Sequence, residues 1–170
     1  SLDELSRLLT LKIQTHIKTG STCEAIEIND HGWQDSHLRA VVDTNKFWEM
    51  LVNSLRNSQT ALDLQRIEML RGNSRSDCAP RICIDLQANS DEATLTVIDN
   101  GGGVPPDQVD MLYREPVPSL KRQGKTLGQG TLFVKFFAER MNMTVSAVNT
   151  SALGSAGLAV SVIIPVQKQK

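Results

Sequence analysis

Apolar residues recur at helical spacing from the start of the chain. Leu2, Leu5, Leu8, Leu9 and Ile13, with Ile17 a turn further, predict a helix over residues 2–19 that ends at Gly20-Ser21. Residues 24–29 alternate polar and apolar, the period of a strand, and Asp30-His31-Gly32 reads as the turn after it. Leu38 to Val42 is a short apolar stretch, a candidate edge strand. Asp43-Thr44-Asn45 offers capping oxygens for a long helix running to about Arg71. Phe47, Leu51, Leu55, Ser58 and Leu62 mark one face of that helix at spacings of four and three. Glu49, Asn53 and Asn57 stand four apart on another face, which is either solvated or set against something polar.

Residues 72–81 form a polar loop. Ile82, Ile84 and Leu86 alternate as a strand, Asn89-Ser90-Asp91-Glu92 turns the chain, and a second strand runs to Asp99, so the two read as an antiparallel hairpin. Pro105-Pro106-Asp107 opens a short helix through Leu112. Arg114 to Lys125 has no periodicity, and Pro116, Pro118 and Gly124 break regular structure there. Gly128-Gln129-Gly130-Thr131 opens a helix from Leu132 to about Met141. Thr144 to Asn149 and Leu158 to Ile164 are two more strands, joined by a turn over 151–157.

The chemistry gathers at three places on this frame. Leu95, Val97 and Asp99 share one strand face, and three glycines, Gly101, Gly102 and Gly103, follow at once. An acceptor-only carboxylate beside backbone without side chains suits the exocyclic amine of a flat ligand such as adenine, although an Asp-Asn-Gly run is also an ordinary turn. Arg114, Lys121, Arg122 and Lys125 stand against Glu115 alone, a basic loop fit for an anion or for solvent. Gly128 and Gly130 place backbone amides at a helix start, where the helix dipole favours anions. The Walker and Rossmann spacings are absent.

Composition narrows the partners. The 170 residues suit one domain with a sizeable core, and 40% hydrophobic with 22% charged content is ordinary for a soluble protein. A net charge of −1 gives no nucleic-acid surface, and no apolar run is long enough for a membrane span. Cys23, Cys78 and Cys83 fit no zinc spacing and are expected as reduced thiols of a cytoplasmic protein. The abrupt start suggests a fragment of a longer protein.

Taken in order, these stretches resemble the ATP-binding catalytic domain of sensor histidine kinases, within the GHKL ATPase superfamily. Residues 53–58, Asn-Ser-Leu-Arg-Asn-Ser, resemble the N box, commonly Asn-Leu-Leu-Arg-Asn-Ala. Asp99-Asn100-Gly101-Gly102-Gly103 matches the Asp-x-Gly-x-Gly box. Tyr113 to Lys121 is similar to Phe-Glu-Pro-Phe-Phe-Thr-Thr-Lys, and residues 128–135 align with Gly-Leu-Gly-Leu-Ala-Ile-Val-Lys. The resemblance covers nearly the whole chain. It implies the Bergerat fold, an α+β two-layer sandwich with a mixed, largely antiparallel sheet covered on one face by three main helices, 2–19, 44–71 and 131–141. The chain would be a single catalytic domain, 1–170, with a lid at 114–127.

The resemblance also implies roles. Asp99 would accept from the adenine amine, and Gly101 and Gly103 would let backbone line the base pocket. Asn57 would bind Mg²⁺ through its carbonyl oxygen, with Asn53 near the phosphates or the metal's water. Arg56, Lys121, Arg122, Lys125, the amides of Gly128, Gln129 and Gly130, and Thr131 would meet the phosphates of ATP. Many family ATPases place a water-activating Glu four residues before the Asn, where this chain has Asn53, a poor base; a shift of one turn would put Glu49 in that role. Ser58 stands where Ala is usual, Thr126 where a lid glycine is common, Gln129 where Leu is common, and Asn142-Met143 in place of His-Gly-Gly.

The expected activity is transfer of the ATP γ-phosphoryl group to a histidine on a dimerisation domain of the same parent protein. A response regulator receiver domain would take the phosphoryl group next. His16, His31 and His37 lack the surroundings of a phosphoacceptor and are expected at the surface or in packing. A degenerate nucleotide-binding or docking module, and a GHKL-type ATPase, are the alternatives. Neither nucleic acid nor direct membrane contact is expected.

Overall fold

The structure is a computed structural model that describes residues 1–18, 26–34, 36–72, 78–114 and 129–168. Helix α1 spans Leu2–Lys18, and strand β1, Ile26–His31, follows. A two-residue strand β2, Leu38–Arg39, precedes the long helix α2, Thr44–Leu70. The hairpin strands β3, Ile82–Ala88, and β4, Glu92–Asp99, lead to the single-turn helix α3, Pro106–Val109. Helix α4, Gln129–Arg140, then gives way to β5, Thr144–Thr150, β6, Gly157–Pro165, and β7, Gln167–Lys168.

Five strands form one sheet in the order β1-β3-β4-β6-β5. Only the β1–β3 pair is parallel, so the sheet is mixed and largely antiparallel, as expected. Register aligns the apolar sets: Ile84 faces Val97, Leu86 faces Leu95, and Val162 and Val160 pair with Leu95 and Val97. These side chains form one buried stripe, and α1, α2 and α4 cover it with Leu2, Leu9, Ile13, Phe47, Leu51, Leu55, Leu62, Val134 and Ala138. The expected face of α2 is therefore the core face, Ser58 included. Asp99 pairs with Ile82 at the end of the stripe, which carries a carboxylate to the rim of the hydrophobic layer.

Helix α2 begins where capping chemistry predicts. Asp43 Oδ1 accepts from the amides of Asn45 and Lys46, both at 3.1 Å, and the Lys46 amide, followed by the Lys46 ammonium, draws the Asp43 carboxyl below its usual range. Several boundaries depart from expectation, among them the start of α4, which is already helical at Gln129 and not first at Leu132. Asp30 and His31 belong to β1 and the turn falls after them, because Asp30 Oδ1 accepts from the amides of Gly32, Trp33 and Gln34. That turn buries Trp33, whose indole N–H donates to the Gln87 carbonyl at 2.7 Å. The Leu38–Val42 stretch is not an edge of the main sheet: only Leu38–Arg39 is extended, paired with β7 in a separate ribbon. The helix expected through Leu112 ends at Val109 and continues as turns to Arg114.

Candidate functional site

Three hydrogen bonds from described residues fix the Asp99 carboxylate. Its Oδ1 accepts from the backbone N–H of Gly101 at 3.0 Å and of Leu158 at 3.3 Å; its Oδ2 accepts from the Ser58 hydroxyl at 2.8 Å. Asp99 is 3% exposed, and burial raises its carboxyl above the usual range, against the opposing pull of Gly101, Ser58 and Leu158. Tyr113 is also buried, at the end of the turns after α3; burial, and secondarily the charge of Asp99, raise its phenol.

The glycine turn after β4 is shaped by close contacts. A Cβ on Gly101 would stand 2.7 Å from Ala61 Cβ, so the turn rests directly on α2. Gly103 has φ +72, and a Cβ there would lie 2.6 Å from Asn149 Oδ1. Asn149 clamps the next residue: its Oδ1 accepts from Val104 N–H at 3.0 Å and its Nδ2 donates to Val104 O at 2.7 Å. Asn100 is buried and ties the turn to the segment before β3, accepting from Arg81 N–H at 2.8 Å and donating to Ala79 O at 2.9 Å. The glycines thus permit backbone approach to α2 and to β5.

Helices α2 and α4 pack side by side, and Asn57 of the polar line meets the start of α4. Asn57 Oδ1 lies 3.3 Å from the position of a Cβ on Gly130, in the first turn of α4, so only glycine leaves that space open. Asn53 is half-buried one turn earlier and its Nδ2 donates to Glu49 O at 2.9 Å, while Glu49 itself is exposed. Arg56 is exposed on α2, Thr131 is half-buried on α4, and Gln129 opens α4. Lys121, Arg122, Lys125 and Gly128 lie outside the described residues, as does the lid apart from Arg114, which is exposed.

Residues 42–168 match the family model for histidine kinase-, DNA gyrase B-, and HSP90-like ATPases. The chain belongs to this family. Among solved structures, the fold is similar to a mycobacterial sensor histidine kinase, MprB, with a TM-score of 0.65 and 16% identity over 97% of this chain and 96% of that one. It is also similar to the catalytic domain of the histidine kinase ThkA, in a nucleotide-free form, with a TM-score of 0.61 and 16% identity over 95% of this chain and 90% of that one. A comparison with curated protein sequences gives no match.

Four further residues shape the neighbourhood of Asp99, a role that the sequence patterns gave to none of them. Ser58 reads as a core position of α2, and its reach across to β4 depends on tertiary packing. Gly157 reads as part of a turn, yet a Cβ there would stand 1.7 Å from the Asp99 carbonyl oxygen. Asn149 and Tyr113 act through contacts distant in sequence. A cavity of 380 Å³ between α3, α4 and β5 is lined by Tyr113, Lys135, Ala138, Met143 and Val145, but by neither Asp99 nor Asn57. His31 and His37 are exposed, and the His16 side chain lies outside the description. Cys78 and Cys83 are free thiols; Cys23 lies outside the described residues. Among the described residues no His, Cys, Asp and Glu cluster could hold a metal by itself, and no helix is long and apolar enough to cross a membrane.

Proposed function

We propose that this domain binds ATP with Mg²⁺ and acts as the catalytic part of a sensor histidine kinase. It would transfer the γ-phosphoryl group to a histidine on the dimerisation domain of the same parent protein, and a receiver domain would accept it afterwards. The reading places the chain, 1–170, as one catalytic unit in the cytoplasm. The observation that carries it is Asp99: a buried carboxylate at a strand end, held by three donors, with acceptor capacity left over. An ionised carboxylate offers about four acceptor sites, so beyond the described donors one remains for an amine on the edge of a base.

The residues present fit the nucleotide and its ion. The turn over 100–104 leaves backbone beside Asp99, and Gly130 keeps the space next to Asn57 free of side chain. Asn57 would hold Mg²⁺ through its carbonyl oxygen, a hard donor, with phosphate oxygens and waters supplying the other ligands that this ion prefers. Bound there, the ion would neutralise phosphate charge. On the same reading Arg56, Thr131 and the amides of Gly128, Gln129 and Gly130 would meet the phosphates, together with Lys121, Arg122 and Lys125 of the lid.

Asn53 favours transfer over hydrolysis. Its amide occupies the position of a water-activating base and cannot take a proton at neutral pH. The test supplies γ-labelled ATP, Mg²⁺ and the parent's acceptor hairpin. Label on the hairpin histidine supports the kinase reading. Tight nucleotide binding without label on the hairpin overturns it in favour of a nucleotide-binding module, and Glu49-dependent phosphate release in favour of an ATPase.

A further inference from the structure

Ser58 sits in the middle of α2 and is buried. A buried helical serine commonly turns its hydroxyl back to the carbonyl four residues earlier, as Ser54 does to Met50 at 3.3 Å. Ser58 instead crosses to the sheet and donates to Asp99 Oδ2 at 2.8 Å. On Asp99, Oδ1 already accepts from two backbone amides, those of Gly101 and Leu158. With two acceptor sites on each oxygen, the site that described residues leave unused is on Oδ2, beside the Ser58 hydroxyl.

We infer that Ser58 is a positioning residue for base recognition: its hydroxyl locks the Asp99 carboxylate in the rotation that presents one Oδ2 acceptor site to a ligand's amino group. The inference rests on the nucleotide reading given above. Backbone amides hold Oδ1 from the glycine turn and from β6, but Oδ2 is held from α2 alone among described residues. Without Ser58, Oδ2 would lose its one partner there. An Ala at this position, the residue the kinase box commonly carries, has no hydroxyl to give.

The same hydroxyl also favours the ionised carboxylate, which is the form that accepts. Burial acts the other way and raises the Asp99 pKa. The groups facing Asp99 are the Ser58 hydroxyl from α2, the amide of Gly101 from the turn, the amide of Leu158 from β6, and Tyr113 from the turns after α3. Only Tyr113 among them titrates, and its phenol is raised above its ordinary value, so it stays protonated through the acid range. The terminal phosphate of ADP titrates in the same range, but inosine diphosphate carries the same phosphates, so an acid limb seen with ADP and absent with inosine diphosphate reports Asp99. Removing the hydroxyl moves that limb to higher pH.

The test measures binding of ADP and of inosine diphosphate, whose base carries a 6-oxo group in place of the amine. Calorimetry from about pH 5 to pH 8 would compare wild type, Ser58→Ala and Ser58→Thr. The fold should survive Ser58→Ala, because alanine is the best helix former and leaves no polar group to bury. The expected result is an ADP affinity about five- to tenfold weaker in Ser58→Ala, less than the loss of the base–carboxylate bond itself, because Asp99 stays and only its positioning is lost. Its acid limb shifts upward, inosine diphosphate affinity is unchanged, and Ser58→Thr, which keeps the hydroxyl, restores the wild-type profile. An unmoved limb in Ser58→Ala, a shifted limb in Ser58→Thr, or an equal loss for both nucleotides would overturn the inference and leave Ser58 a packing residue. A wild-type protein that binds ADP no better than inosine diphosphate would instead overturn the adenine reading itself.

Discussion

Gly157 touches Asp99 so closely that a Cβ built on it would stand 1.7 Å from the Asp99 carbonyl oxygen and 2.8 Å from Asn100 Cα. Both neighbours are backbone, which cannot rotate away. Asp99 lies at the end of β4, so the clash falls where the chain leaves the sheet for the glycine turn. Gly157→Ala should destabilise the domain by about 1–3 kcal/mol or more, the range for overpacking a close-packed site. Nucleotide affinity should fall along with it. Thermal unfolding with and without ADP checks both, and a melt like that of wild type would contradict the placement of β6 against the turn.

Much of this arrangement was legible in the sequence. Period-two alternation located β3 and β4, whose Ile84, Leu86, Leu95 and Val97 turn to the core, and β5 and β6 fall on the two strand candidates near the end of the chain. The face carrying Phe47, Leu51, Leu55, Ser58 and Leu62 was legible for the same reason, and Asp99 followed from its parity with Leu95 and Val97. What could not be read were contacts between distant segments. Periodicity reports burial but not partners, so it placed Ser58 in the core without revealing that its hydroxyl meets a carboxylate forty-one residues away. The Asp30 turn was misplaced because its side chain caps the amides that follow it, a local hydrogen-bond choice compatible with either assignment. The pairing of Leu38–Arg39 with Gln167–Lys168 is too short to leave a pattern.

Asp99→Asn should abolish adenine recognition and keep the fold. The asparagine oxygen can replace Oδ1 beneath the Gly101 and Leu158 amides, and its NH₂ can donate to the Ser58 hydroxyl, so every described bond has a counterpart. The atom left facing a ligand becomes a donor and cannot accept from an amine. The loss should be about 2–3 kcal/mol in ADP binding, the value of a hydrogen bond to a charged acceptor. Calorimetry is the measurement, and an affinity equal to wild type would move the base pocket elsewhere.

The same substitution makes a pH prediction. The folded-state pKa of Asp99 is raised, chiefly by burial, so the native protein binds more protons than the unfolded chain over the interval between the two values. Stability carried by this group is fully present below the unfolded pKa and is lost as pH rises through the raised folded value. Without nucleotide, Asp99→Asn should therefore gain on wild type as pH rises through that window, and the difference should level off above it. Urea unfolding of the two proteins across the acid range tests the sign; a difference independent of pH would mean that Asp99 is ordinary in the native state.

Asn149→Ala should loosen the glycine turn from the side of β5. Two bonds to Val104 are lost together, which imitate a strand pairing at 3.0 and 2.7 Å. Because Asn149 is exposed, water can replace part of what is lost, and the cost should stay near about 1 kcal/mol. Amide exchange of residues 102–104 should rise more than that of the β4 core. Exchange that rises equally in both would mean global destabilisation in place of a local clamp.

The last prediction separates the two ways of reading the polar line on α2. Asn57 faces the first turn of α4 at Gly130, whereas Asn53 is engaged with the Glu49 carbonyl and Glu49 is exposed a turn further away. If Mg²⁺ is held at Asn57, Asn57→Ala removes a hard oxygen ligand and should weaken Mg-dependent ATP-analogue binding far more than metal-free binding. Asn53→Ala should reduce the metal dependence less, since its amide stands one helical turn, about 5.4 Å, further along the axis. Glu49→Gln should leave both almost untouched, because an exposed carboxylate one further turn away has no role in this arrangement. Titrations with and without Mg²⁺ on the three variants give the order directly. The reverse order, with Asn53 dominant and Glu49 required for phosphate release, would shift the box by one turn and restore a water-activating base. The domain would then be an ATPase whose nucleotide chemistry needs no acceptor histidine.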